Sequence, residues 1–128
     1  MLSTTAEGQS IVINVRLQLE GFQNSGKFKE RVEIVWRYES EDGMPCDELA
    51  GQMEAAQEII QRKMEKDKLA ILTGIYTGGG ERCWVFYTRK TEVFCQYLNE
   101  ALAEHPLLPI VLEAEEDPEW GEYCELLS

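Results

Sequence analysis

Apolar and polar residues alternate from Ile11 to Leu19, with Ile11, Ile13, Val15, Leu17 and Leu19 on one side and Val12, Asn14, Arg16 and Gln18 on the other. That period of two predicts a half-buried strand. After a polar loop holding Asn24-Ser25-Gly26, the alternation returns with Val32, Ile34, Trp36 and Tyr38 against Glu33, Val35 and Arg37, a second strand closed by Glu41-Asp42-Gly43. Beyond Pro45 the spacing lengthens: Leu49, Met53, Ala56, Ile60 and Met64 recur every three or four residues. Asp47 and Glu48 open this stretch and Arg62, Lys63 and Lys66 end it, the arrangement a helix dipole favours, so a long amphipathic helix is predicted over 46–66.

Two short apolar runs, 69–76 and 83–88, flank Thr77-Gly78-Gly79-Gly80-Glu81 and predict a β-hairpin with a glycine turn. A second helix is expected from Thr91, as N-cap, through Phe94, Tyr97, Leu98, Ala101 and Leu102, ending at His105-Pro106. Residues 108–112 predict the last strand. Asp117-Pro118-Glu119 supplies a cap, a first-turn proline and an early acid for a short terminal helix carrying Trp120, Tyr123, Cys124 and Leu127. From Arg31 onward the order is strand, helix, strand, strand, helix, strand. We therefore expect an α+β fold of the ferredoxin-like βαββαβ kind, with an extra N-terminal strand and a short C-terminal helix. The expected organisation is a single domain over 1–128, with its core at 11–114 and an acidic tail at 115–128. Such a sheet leaves one face free of its two long helices, and the terminal helix either covers that face or leaves it open to a partner.

Charge narrows the functions open to this fold. Twelve Lys and Arg stand against 24 Asp and Glu, a net charge of -12. Such a field repels nucleic-acid backbones and anionic lipid, so neither nucleic acid nor a membrane is expected as a partner. Residues 113–128 hold seven acids and no Lys or Arg. The four cysteines, 46, 83, 95 and 124, are too far apart for a zinc pair or a redox motif and read as reduced thiols. Without a secretory leader pattern or a long apolar run, a cytoplasmic address is expected.

Candidate chemistry is sparse. The glycine run 78–80 precedes a strand, whereas a phosphate loop needs a helix N-terminus directly after it. His105, the only histidine, sits before a proline where a cap or surface role suffices. No metal set or cofactor motif is assembled, so no cofactor, metal or catalytic residue is expected. Core packing accounts for Trp36 and Trp84. Trp120 has two readings: it latches the tail to the sheet, or it is an exposed anchor ringed by carboxylates for a basic protein. On the second reading the partner-binding residues are Glu115, Glu116, Asp117, Glu119, Trp120 and Tyr123.

The string Val32-Glu33-Ile34-Val35-Trp36-Arg37-Tyr38, Met44-Pro45 before the first long helix, the turn 77–82 leading into Trp84-Val85-Phe86-Tyr87-Thr88, and the closing Asp117-Pro118-Glu119-Trp120 together resemble the bacterial domain-of-unknown-function family numbered six hundred and ninety-five. The resemblance spans nearly the whole chain. It implies a bacterial cytosolic protein and carries no reaction, cofactor or catalytic residue. That family is similar in pattern to the regulator of ribonuclease activity B, an acidic protein that inhibits a ribonuclease by binding it, which favours a protein-binding role. The expected function is a non-enzymatic interaction or regulatory module. The alternative is a small-molecule-binding domain or hydrolase, with a pocket between sheet and terminal helix lined by Trp84, Tyr87, Trp120 and Tyr123. A third expectation is self-association through the N-terminal strand's edge.

Overall fold

A computed structural model describes residues 2–4, 10–103 and 109–127. Strands β1 (Leu2–Thr4) and β2 (Ser10–Val15) precede a short helix α1 (Glu20–Asn24). Then come β3 (Glu30–Arg37), α2 (Asp47–Lys66), β4 (Ala70–Gly78), β5 (Glu81–Thr88), α3 (Thr91–Leu102), β6 (Ile110–Glu116) and α4 (Gly121–Leu127). The strands form one sheet in the order β1-β2-β4-β5-β3-β6, antiparallel at every pairing. The fold is α+β, an antiparallel sheet with four helices.

Strand periodicity decides which side chains meet which helices. Val32, Ile34 and Trp36 of β3, with Leu72, Trp84 and Phe86, pack under Met53, Ala56, Ile60 and Met64 of α2 and Phe94 and Leu98 of α3. The intervening positions point the other way. Val35, Ile71, Cys83, Val85 and Tyr87 join Leu19, Phe28, Trp120 and Tyr123 in a second, smaller core. The terminal segment therefore covers part of the sheet's second face.

Several expectations need correcting. The strand expected over 11–19 is β2, which stops at Val15 and is preceded by a further strand, β1; beyond it Gln18 takes a left-handed backbone conformation (φ 64°) incompatible with an extended run to Leu19. Leu17 is left 66% exposed, while Leu19 turns into the second core at the head of α1, where a polar loop was expected. Thr91 is not the cap of α3 but its first residue. Its backbone N–H and its hydroxyl both donate to Glu30 Oε1, at 2.9 and 3.1 Å, so β3 supplies the carboxylate that tethers the helix start. Pro118 and Glu119 form a turn before α4 instead of its first residues. The last strand runs through Glu116, so the boundary drawn after residue 114 falls inside β6 and the first acids of the tail belong to the sheet. The predicted stop at His105-Pro106 lies outside the described residues.

The hairpin has the expected glycine turn. Gly79 and Gly80 sit at φ 61° and 82°, the positive values a two-residue turn between twisted strands requires. A Cβ on Gly80 would also lie 3.3 Å from the Tyr38 carbonyl oxygen.

Candidate partner-binding face

Asp117 organises the tail. Its backbone N–H donates to the Lys29 carbonyl at 2.8 Å, continuing the tail's attachment beyond β6. Its side chain accepts from Gly121 N–H (2.8 Å) and Glu122 N–H (3.2 Å), the free donors at the start of α4, and from the Tyr87 hydroxyl at 2.6 Å. Partial burial disfavours the charged carboxylate, yet these hydrogen bonds and the Arg31 charge outweigh it and hold Asp117 below the ordinary carboxylate range. Burial first, and then the Asp117 carboxylate, push the Tyr87 hydroxyl far up, so it stays a donor.

Trp120 is 1% exposed. Its ring stacks on Tyr87 with centroids 4.4 Å apart, meets Tyr123 edge-on at 5.4 Å, and donates from Nε1 to the Phe28 carbonyl at 2.7 Å. Tyr123 donates its hydroxyl to the Arg16 carbonyl at 2.6 Å. Both side chains are spent on holding α4 against the sheet. Of the six residues proposed to meet a partner, Trp120 and Tyr123 are buried and Asp117 is tied into the cap, while Glu115, Glu116 and Glu119 remain on the surface. The reading of Trp120 as an exposed anchor is corrected accordingly: the indole is a latch.

The expected pocket does not form either. Trp84 lies on the opposite face, edge-on to Trp36 at 6.2 Å and donating to Gln57 Oε1 at 3.1 Å. Trp120 is in ring contact with both Tyr87 and Tyr123, so the three aromatics that share a face pack on one another.

Beside the latched tail, the second face at the β3–β6 pair carries buried Arg31 and Val35 on β3 and exposed Val111, Glu113 and Glu115 on β6. Register places Arg31 opposite Glu115, Glu33 opposite Glu113 and Val35 opposite Val111 across the β3–β6 pair. Two shallow depressions result. One, of about 200 Å³, is lined by Arg31, Glu33, Glu113, Ala114 and Glu115. The other, of about 230 Å³, includes Ile11, Glu33, Arg37, Tyr76, Glu81 and Cys83. Burial weakens the hold of the Arg31 guanidinium on its proton, but the Glu33 hydrogen bond and charge, with smaller contributions from Tyr87 and Tyr76, more than restore it. Arg31 Nη1 donates to Glu33 Oε1 and lies 3.6 Å from Glu115 Oε1. Its Nε is buried and has no hydrogen-bond partner among the described residues. The Glu113 side chain has neither a hydrogen bond nor an ion pair within the described residues, although it lies directly across from another carboxylate. Burial pushes the Cys83 thiol up to about 12, leaving it a protonated, poorly nucleophilic wall residue. Among the described residues, no group of three or more His, Cys, Asp and Glu side chains is placed to hold a metal ion, and no helix is long and apolar enough to cross a membrane.

The model of a family described only as a family of unknown function, DUF695, matches residues 1–128. The chain belongs to that family. No match was found among curated proteins or solved structures. This DUF695 chain therefore has to be read from its own geometry.

Of the acids that sequence reasoning singled out, Glu115 borders this depression, but that reasoning did not bring Arg31, Glu33 and Glu113 together as a set. The signal was half present: Glu33, Val35 and Arg37 alternate with the apolar side of β3. The missing half was the register of β6, which brings Glu113 and Glu115 beside them.

Proposed function

We propose that this DUF695 domain is a non-enzymatic interaction module that holds a basic protein segment on the exposed acids of β6, on its sheet's second face. One observation carries the reading: Glu33 and Glu113 stand directly opposite each other on neighbouring strands, and the depression they share with Glu115 is lined by one cation, Arg31, while the next depression along, where Glu33 and Glu113 also reach, holds Arg37. Like charges at directly opposed positions destabilise a sheet. Rules of local consistency are broken mainly where function demands it. A Lys or Arg side chain from a partner would relieve that repulsion, and the overall charge of -12 would speed its approach.

The same reading puts the domain in a bacterial cytosol, on the strength of the family resemblance and the cysteine pattern. The order β4-β5-β3-β6, with α2 and α3 on one face, supports treating the region from Glu30 to Glu116 as ferredoxin-like, with β1, β2 and α4 as additions.

The test is Glu113→Lys. It replaces the repulsion across from Glu33 with an attraction, so urea unfolding should show a gain of about 0.5 kcal/mol. Proteins retained from native cytosol by the wild-type chain at low salt should be lost from the variant. A variant that is more stable and retains the same proteins would overturn the reading.

A further inference from the structure

β6 forms one end of the sheet, and among the described residues nothing pairs with its outer edge. An unpaired edge presents a row of backbone donors and acceptors to any extended chain. The side chains along it narrow the choice. Glu113 and Glu115 project onto the second face beside Val111, and Glu116 projects onto the other face. A second copy adding its own β6 would bring these glutamates against their equivalents, an arrangement that like charge opposes. A strand carrying Lys or Arg at alternate positions would instead set each cation beside Glu113 and Glu115.

A second observation lies under that edge. Arg31 is only 7% exposed and lines the depression there, and its Nε has no hydrogen-bond partner among the described residues. It meets Glu33 through Nη1 alone, and Glu115 at 3.6 Å is beyond hydrogen-bond distance. A sealed guanidinium beside two carboxylates that leaves a donor unmatched is an incomplete charge set. A further cation at Glu113 and Glu115 would lift the repulsion on Glu33 and let it swing from Nη1 to the face of Arg31 where Nε and Nη2 present two parallel donors.

We propose that β6 is the docking edge for an extended basic segment of another protein, which adds as a further antiparallel or parallel strand and places alternate Lys or Arg side chains over Glu113 and Glu115. This rests on the basic-partner reading above and adds the mode of attachment. It also assigns Arg31 the role of a positioning residue for Glu33.

The experiment uses the full chain labelled with nitrogen-15 and the blocked peptide acetyl-Thr-Lys-Thr-Lys-Thr-Lys-Thr-amide. Its control is the same peptide N-methylated at every residue, which keeps the charge and removes the backbone donor of every residue. The expected result is slowed hydrogen exchange at the β6 amides that point away from β3, together with a shift of the Arg31 Nε–H resonance. The methylated peptide should bind about tenfold more weakly or worse, having lost several hydrogen bonds. Glu113→Gln with Glu115→Gln, a near-isosteric pair, should weaken the unmodified peptide about fivefold, the worth of two exposed ion pairs. Glu119→Gln with Glu122→Gln should not. Equal binding of both peptides would overturn strand addition while leaving the basic-partner reading intact. Binding of neither would overturn both. Concentration-dependent protection of β6 without peptide would assign the edge to a second copy and overturn the proposal.

Discussion

Asp117 carries more structural duty than any other acid in the tail, because one carboxylate both caps α4 and anchors the buried Tyr87 hydroxyl. Replacing it with Asn keeps the shape but brings a donor towards groups that already donate, so Asp117→Asn should cost about 1–2 kcal/mol at neutral pH. The acid limb should change with it. A carboxyl whose folded value is held below the unfolded one stabilises the fold above about pH 4 and loses that contribution as pH falls towards the folded value. Urea midpoints measured from pH 7 down to pH 2 should therefore fall more steeply in the wild type than in the variant, and parallel curves would refute this role. At the turn, Gly80→Ala should cost about 1–2 kcal/mol, since it forces a side chain onto a φ of 82° and against the Tyr38 carbonyl.

At the scale of elements, α4 is a cover held by aromatic contact. Trp120→Ala would remove a side chain packed between Tyr87 and Tyr123 and leave the Phe28 carbonyl without its donor, a loss of about 3–5 kcal/mol by chemical unfolding. A chain ending at Glu116 should bind a hydrophobic dye that the full chain does not, because Tyr87, Val85 and Ile71 would lose their cover. The long helices, the hairpin and the order of elements were legible in the sequence because each rests on a local period or a glycine turn. Strand ends were less legible. β2 ends at Val15, and Gln18 beyond it takes a backbone angle that no hydrophobic pattern records. β6 extends into Glu113, Glu115 and Glu116, which strand propensity disfavours and pairing with β3 imposes. The expected aromatic pocket failed for a simpler reason: Trp84 and Tyr87 are three residues apart on one strand, and a period of two sends them to opposite faces.

For the whole molecule, two acidic regions bear on the partner reading, the acids of the α4 segment and the ledge over β3 and β6. Only the first was visible in the sequence, as a run of acids. The second is made by cross-strand register, a long-range property that a single chain's pattern does not record, and Arg31 sat there unremarked because its neighbours Glu115 and Tyr87 are far from it in sequence. Two exposed apolar side chains mark the two regions: Val111, 52% exposed on the ledge, and Leu127, 49% exposed on α4. The decisive measurement replaces each in turn with a photoreactive residue in the full chain and crosslinks it in native cytosol at low and raised salt. The account predicts a salt-sensitive crosslink to a basic protein from position 111 and none from position 127. A partner captured from position 127 alone, or from neither position, would contradict it.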